Sequence, residues 1–182
     1  MFFLHEKLLS LTEINFAGFA NWSVNGMLAV IVMKRNETKF NEIQKLLKSK
    51  LGDRIICSEE NGTKYLQIKD TEFWMSTEFD EFIVGVGLNH THFNEKEETL
   101  HDGIIQVFDM LTNKVKTTRF IKGTTVFKTI TEIEYPNSKS VIIGQTGLLI
   151  FPFWKKTTIE TTVSNPIMAR EEIKDEVNTI IN

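Results

Sequence analysis

Residues 54–88 read RIICSEENGTKYLQIKDTEFWMSTEFDEFIVGVGL, and this stretch decides the fold class. Leu66 and Ile68 alternate with polar side chains, which is typical of a strand buried on one face. Asn61-Gly62 is a strong hairpin signal, and the polar residues 78–81 predict a second turn. The pattern therefore predicts antiparallel strands at 54–58, 65–69, 72–76 and 82–88.

Two glycines, Gly85 and Gly87, lie on one face of the last predicted strand. A glycine inside a strand often marks a place where another part of the chain approaches closely. We expect a close neighbour there, such as a helix that crosses the sheet.

Helical patterns flank these strands. Apolar residues recur at helical spacing from Phe40 to Leu51, with Thr38 as the predicted cap and Gly52 as the stop. A second helix is predicted from Glu95 to Leu111, and Asn165-Pro166 is expected to open a third. Helices and strands do not alternate as they do in a parallel sheet. The order predicts an α+β fold, a mainly antiparallel sheet with about three helices packed on it.

The remaining segments complete one predicted domain, residues 1–182. Strands are expected at 114–122 and 124–135, then at 140–144 and 147–153. A short helix is predicted over 3–12 and a buried strand over Met27–Met33. No charged residue occurs between residues 14 and 33, but three asparagines interrupt the stretch, and each amide would be costly in hydrocarbon. We therefore expect no membrane span and no membrane partner.

Composition and motifs argue against several classes of function. The single cysteine, Cys57, lies in an apolar stretch and is predicted to be a small buried residue in a reducing, cytoplasmic protein. The chain lacks a dinucleotide fingerprint, a phosphate-binding loop and a nucleophile elbow. We therefore expect no catalytic residues and no cofactor. A pI of 5.9 and the lack of an aromatic motif among the basic residues argue against nucleic acid as a partner.

Charge is distributed unevenly along the chain. Residues 57–112 carry 3 basic and 12 acidic side chains, whereas residues 113–158 carry 8 basic and 2 acidic ones. The two segments either neutralise each other across the sheet or form separate faces, of which the acidic one steers a basic partner. Under the second interpretation, the partner-binding candidates lie in a turn and at a helix start: Glu78, Asp80, Glu81, Glu95, Glu97 and Glu98.

Three of the four histidines fall in one window, at His90, His92 and His101. His90 and His92 project from the same face of an extended strand and could ligate one zinc, with His101 or a nearby carboxylate completing the site. The alternatives are histidines that pack against the next helix and histidines that form a pH-sensitive contact. Only two ligands have assured geometry, so we predict no metal. A small metal-dependent enzyme or metal-binding protein that uses this cluster remains the alternative function.

The densest aromatic cluster is FPFWKK, residues 151–156. We expect it to be the apolar end of a strand that closes the core. The alternatives are an anchor for a protein partner or a segment that lies at a membrane surface. The Phe-rich interior also leaves open a binding module for a small apolar ligand.

Part of the chain resembles a family of small bacterial immunity proteins, the antidotes to polymorphic toxins. The resemblance rests on residues 80–87 (DEFIVGVG), on residues 89–93 (NHTHF), and on the helix and basic hairpin that follow, to about Phe127. It implies a non-enzymatic cytoplasmic protein that neutralises a toxin by binding it. An acidic surface would then suit a toxin with a basic cleft, such as a nuclease.

Overall fold

Antiparallel strands form the largest share of the described structure. The computed structural model describes residues 35–94, 96–137 and 139–181. Within these ranges nine strands form two antiparallel sheets, and three α-helices accompany them, which confirms the predicted α+β class. The predicted helix over 3–12, the uncharged stretch 14–33 and the predicted strand Met27–Met33 lie outside the described residues.

The first sheet is a meander in which every strand pairs with the next one in sequence. Asn61 and Gly62 join the first two strands with positive φ angles of 51° and 83°, as a tight hairpin turn requires. The predicted turn at 78–81 is confirmed as a two-residue turn at Phe79 and Asp80. The strands are β1 (Ile55–Glu60), β2 (Thr63–Ile68), β3 (Phe73–Glu78), β4 (Glu81–Val86) and β5 (Asn89–Asn94).

The second sheet has the order β8-β7-β6-β9. Its strands are β6 (Lys114–Lys122), β7 (Thr125–Glu134), β8 (Ser140–Gly147) and β9 (Thr157–Ser164). The β6–β7 hairpin is confirmed. The strand predicted at 147–153 is wrong, because β8 ends at Gly147 and the apolar run that follows has no strand partner. The sequence prediction also missed β9, which pairs with β6 rather than with a neighbour in sequence.

The helices are α1 (residues 35–51), α2 (Leu100–Thr112) and α3 (Lys174–Ile181). Gly52 ends α1 with a φ of +54°, as expected. Thr38 lies inside α1 rather than at its cap. The third helix begins at Lys174, well after the predicted Asn165-Pro166, and a 3-10 turn precedes it.

The predicted start of the second helix is also wrong. Residues 96–98 form a turn before α2 begins, and Glu98 has a positive φ of 58°. The side chain of Asn94 accepts a hydrogen bond from the backbone N–H of Glu97 at 2.7 Å. This local bond holds the turn in place of a first helical turn.

Helices α1 and α2 pack on one face of the first sheet, which we call the inner face, and α3 packs against these two helices. Gly103 of α2 lies against the Phe93 ring of β5, and Lys64 of β2 bonds to Glu37 of α1 at 2.5 Å. Lys39 of α1 donates to a backbone carbonyl of α3 at 2.5 Å. Cys57 is partly buried against this core. The largest fully buried side chains include Phe40, Ile43, Leu47, Leu66, Met75, Phe82 and Leu111.

Side chains of β5 connect the two sheets. The Asn89 amide donates to the Thr131 hydroxyl at 2.6 Å, and both residues are buried. Thr91 donates to the backbone carbonyl of Ile143 at 2.9 Å. A Cβ at Gly144 would come within 2.8 Å of the Asn89 side chain. The junction therefore requires a glycine at position 144.

Stability at high pH should depend on Tyr135, whose hydroxyl donates to the Asp109 carboxylate at 2.9 Å. Burial, together with this carboxylate, raises the pKa of Tyr135 from 10.0 to about 12. Between these values the unfolded chain has lost the proton that the folded protein still holds. The contribution of Tyr135 is therefore complete below about pH 10 and is lost as the pH rises towards about 12. Urea denaturation across this range should show a falling free energy of unfolding.

In Tyr135→Phe, the free energy of unfolding should fall less between about pH 10 and about pH 12. At neutral pH this variant should be less stable by about 1–3 kcal/mol, because a hydrogen bond to a charged group is lost. Tyr65→Phe is the matched control, since Tyr65 is the only other tyrosine and burial alone raises its pKa. An unchanged pH dependence in Tyr135→Phe would contradict the assignment.

Candidate functional site

The second face of the first sheet, which we call the outer face, is not covered by α1, α2 or α3. Strand alternation places on it the residues that point away from the buried Phe82, Val84 and Phe93. No lysine or arginine is among them. The outward residues of the five strands are Ile56, Ser58, Glu60, Thr63, Tyr65, Gln67, Trp74, Ser76, Glu78, Glu81, Ile83, Gly85, His90, His92 and Asn94.

Four rings form a row across this face. The ring centroids of Tyr65 and Trp74 lie 5.6 Å apart, with 21° between their planes. Trp74 is 5.6 Å from His90, and His90 is 5.1 Å from His92. We call Tyr65, Trp74, His90 and His92 the aromatic row. It joins β2, β3 and β5 and crosses over β4.

Gly85 of β4 makes the row possible. It is the cross-strand partner of both Trp74 and His90. A Cβ at position 85 would lie 2.5 Å from the Trp74 indole, so only glycine leaves room for the ring to cross this strand. The indole Nε1 donates to the backbone carbonyl of Gly87 at 2.9 Å. The expected close neighbour at Gly85 is thus a tryptophan side chain, not a helix, and Gly87 belongs to a turn with a φ of +58°.

The acidic turn between β3 and β4 borders the aromatic row. His92 Nδ1 lies 2.7 Å from the Glu81 carboxylate, which accepts a hydrogen bond when Nδ1 carries the ring proton. Glu78 is exposed and is the cross-strand partner of Glu81. Asp80 pairs with Lys96, and the hydrogen bond from that lysine lowers the pKa of Asp80. Of the three predicted turn acids, Glu78 and Glu81 lie on the outer face, and Asp80 has a local counter-charge.

The structure brings the second predicted acidic group to the same end of the sheet. The Asp80–Lys96 pair holds the turn at 96–98 beside the β3–β4 turn. Glu97 and Glu98 are exposed in that turn. Glu95 lies outside the described residues. The predicted acids therefore converge, but from a turn that precedes α2 and not from its first turn.

The histidine window divides between the two sides of the sheet. His90 and His92 belong to the aromatic row on the outer face, whereas His101 is on α2, which packs against the inner face. His101 therefore does not join the other two. In the described part of the chain, no group of three or more histidine, cysteine, aspartate or glutamate residues is placed to hold a metal ion.

The cluster at residues 151–156 does not close the core as expected. Only Phe151 packs inward, where its ring stacks on Phe127 with 4.5 Å between centroids. Phe153 and Trp154 are each 73% exposed. The prediction was wrong because an apolar run does not by itself require burial, and this run lies beyond the last residue of β8.

Tyr65 and Trp74 are site residues that the sequence prediction missed. Tyr65 alternates with Leu66 and Ile68, and Trp74 lies in the strand predicted at 72–76, but the pattern gave neither residue a functional role. Their proximity depends on a register that joins residues from three strands, and the one visible signal was the glycine at position 85.

Comparison with known proteins gives no relative: no family model matches the chain, and no curated protein or solved structure matches it. None of the helices that the structure describes combines the length and the apolar character needed to cross a membrane.

Proposed function

We propose that this chain is a non-enzymatic binding protein of the immunity type, which neutralises a bacterial toxin in the cytoplasm by covering its active site. The observation that carries the proposal is the aromatic row on the sheet face that α1, α2 and α3 do not cover, bordered by Glu78 and Glu81 and with no lysine or arginine among the outward strand residues. The resemblance in residues 80–127 supports the same class of protein.

The aromatic row has the character of an interface centre. Tryptophan and tyrosine are enriched among the residues whose truncation costs the most binding free energy. Such residues cluster near the middle of an interface. Trp74 is held by its hydrogen bond to Gly87 and by its position over Gly85. A ring that is already fixed loses little conformational entropy on binding. The row therefore suits a preformed contact surface.

The acidic border suits a basic partner. Glu60, Glu78 and Glu81 are the charged outward residues of the five strands. A surface of one sign accelerates encounter with a partner of the opposite sign and suppresses other partners. A toxin with a basic cleft, such as a nuclease, fits this surface.

The proposal expects a gene for a toxin-like domain beside the gene of this chain, and the test is protection of a bacterium that expresses that domain. Co-expression of this chain should restore growth, and the two purified proteins should form a stable complex. Growth arrest in the presence of the soluble, folded chain would contradict the proposal, as would protection without a complex.

Charge reversal at Glu78 should slow association with this partner several-fold at about 0.1 M salt, where the Debye length is about 10 Å. The difference should shrink at about 0.5 M salt. The folded state should be unaffected, because a lysine at position 78 would face Glu81 across the strand pair. Stopped-flow association rates measure this directly.

Glu171→Lys is the matched control, since Glu171 is exposed in the 3-10 turn before α3. It makes the same change in net charge at a different place. Equal rates for Glu78→Lys and Glu171→Lys at both salt concentrations would show that net charge, and not the acidic border, sets the rate.

A further inference from the structure

We propose that the far end of the second sheet is a docking surface for an anionic lipid bilayer. The surface consists of the loop 148–154, which we call the apolar tip, and the cations around it. This site is separate from the outer face of the first sheet and does not depend on the proposed toxin partner.

The apolar tip exposes more hydrocarbon than any other described part of the chain. Leu149 is 100% exposed and Ile150 is 92% exposed, and Phe153 and Trp154 follow within four residues. Contiguous exposed apolar side chains mark an interaction site, whereas single ones need no explanation. The tip is therefore a candidate contact surface in its own right.

The loop is anchored to the sheet, so these side chains are held outward. Phe151 stacks on Phe127 of β7, and Lys122 of β6 donates to the carbonyl of Phe153 at 2.6 Å. Lys155 donates its backbone N–H to the carbonyl of Pro152 at 3.0 Å, which closes a turn. The exposed residues flank the inward-facing Phe151 on both sides.

Cations surround the tip. The side chain of Lys155 lies against the β6–β7 turn, where a Cβ at Gly123 would be 2.6 Å from it. Lys122 lies 5.7 Å from the Phe151 ring centre. The sequence has no acidic residue in 110–131 or in 135–159. The cations in these segments near the far end are Lys122, Lys128, Lys155 and Lys156, whereas Arg119 pairs with Glu72 of the first sheet's β2–β3 connection.

A bilayer fits this combination better than a protein does. A convex tip of leucine and isoleucine enters a deformable apolar phase without needing a matched pocket, and tryptophan and phenylalanine favour the headgroup boundary. Lysine stems lie along apolar surface while their ammonium groups reach lipid phosphates. A second copy of this chain is disfavoured, because the same four lysines would face each other.

Apolar insertion and basic attraction should both be required. A single weak anchor gives only marginal membrane binding, and a second signal makes it stable. We therefore expect binding to vesicles that contain phosphatidylglycerol, weak binding to pure phosphatidylcholine, and release as salt rises.

The experiment is co-sedimentation of the full chain with phosphatidylcholine vesicles, with and without phosphatidylglycerol, at about 0.1 M and about 0.5 M salt. The double variants Leu149→Asp/Ile150→Asp and Lys155→Glu/Lys156→Glu should each lower the partition coefficient at least about tenfold. Leu88→Asp is the matched control, because Leu88 is 81% exposed at the β4–β5 turn. It should bind as the wild type does.

Tryptophan emission gives a second readout. The emission of Trp154 is the difference between the spectra of the wild type and of Trp154→Phe. This emission should be red-shifted in free protein and blue-shifted with anionic vesicles. A blue-shifted Trp154 without vesicles would show that a second copy or another part of the chain covers the tip, and this would overturn the proposal. Absence of binding to anionic vesicles would overturn it too, as would binding that both double variants retain. Capture by an acidic protein without any vesicle binding would assign the tip to a protein partner.

Discussion

Trp74→Ala should weaken binding of the toxin partner at least about 30-fold, which corresponds to about 2 kcal/mol. Trp74 is the largest ring of the aromatic row and contacts both Tyr65 and His90. Its removal leaves a gap over Gly85 and frees the two neighbouring rings to move. Isothermal titration calorimetry with the purified partner measures the loss.

Two further variants make this result specific. Gln67 is the cross-strand partner of Trp74 on the same face and is exposed, so Gln67→Ala should change the affinity less than about threefold. Trp74→Phe keeps a ring but loses the hydrogen bond to Gly87. Its affinity for the partner should therefore fall between that of the wild type and that of Trp74→Ala. If Trp74→Ala folds and binds like the wild type, the partner does not use the outer face.

Gly103→Ala should destabilise the fold by about 1–3 kcal/mol, although alanine favours a helix over glycine by about 1 kcal/mol. Gly103 is buried in α2, and a Cβ there would lie 2.7 Å from the Phe93 ring and 3.0 Å from its Cβ. These atoms are close to the backbone of β5 and cannot move aside cheaply. Urea denaturation should therefore show a lower midpoint with an unchanged slope.

Whether Gly103→Ala raises or lowers the free energy of unfolding shows which is larger, the gain in helix propensity or the clash with Phe93. His101→Ala lies on the same helix at an exposed position and should change the stability by no more than about 0.5 kcal/mol. Phe93→Ala removes the two ring atoms that lie 2.7 Å from the added Cβ, so the double variant should lose less stability than the sum of the single losses. A more stable Gly103→Ala would mean that the helix and β5 are not in close contact.

Much of the first sheet could be predicted from the sequence because its information is local. Asn61-Gly62 specifies a turn, and the alternation around Leu66 and Ile68 gives the buried face. The meander pairs only neighbours, so correct turns are sufficient for correct topology. The hairpin at Gly123 was predicted for the same reason.

The errors arose where distant residues decide the structure. β9 is all polar or β-branched and shows no burial pattern, since both of its faces are exposed. β9 pairs directly with β6, although β7 and β8 lie between them in the sequence. The acids 95–98 suit a helix start by charge, but the side-chain bond from Asn94 favours a turn.

The candidate site was predicted in part. Glu78 and Glu81 were predicted as partner-binding residues, and His90 and His92 were predicted only to project from one face. The structure places all four on the outer face. The link between them required the register that sets Trp74 opposite Gly85. That register depends on how two strands pair, and the pattern within a single strand does not specify it.

The position of β9 has a consequence for the order of folding. Each strand of the first sheet meets its partner after one short turn, so its loop-closure cost is small. β9 must return to β6 after two other strands and the apolar tip have been made. Until it arrives, β6 presents an open backbone edge during synthesis, and nascent chains are then most prone to pair with one another.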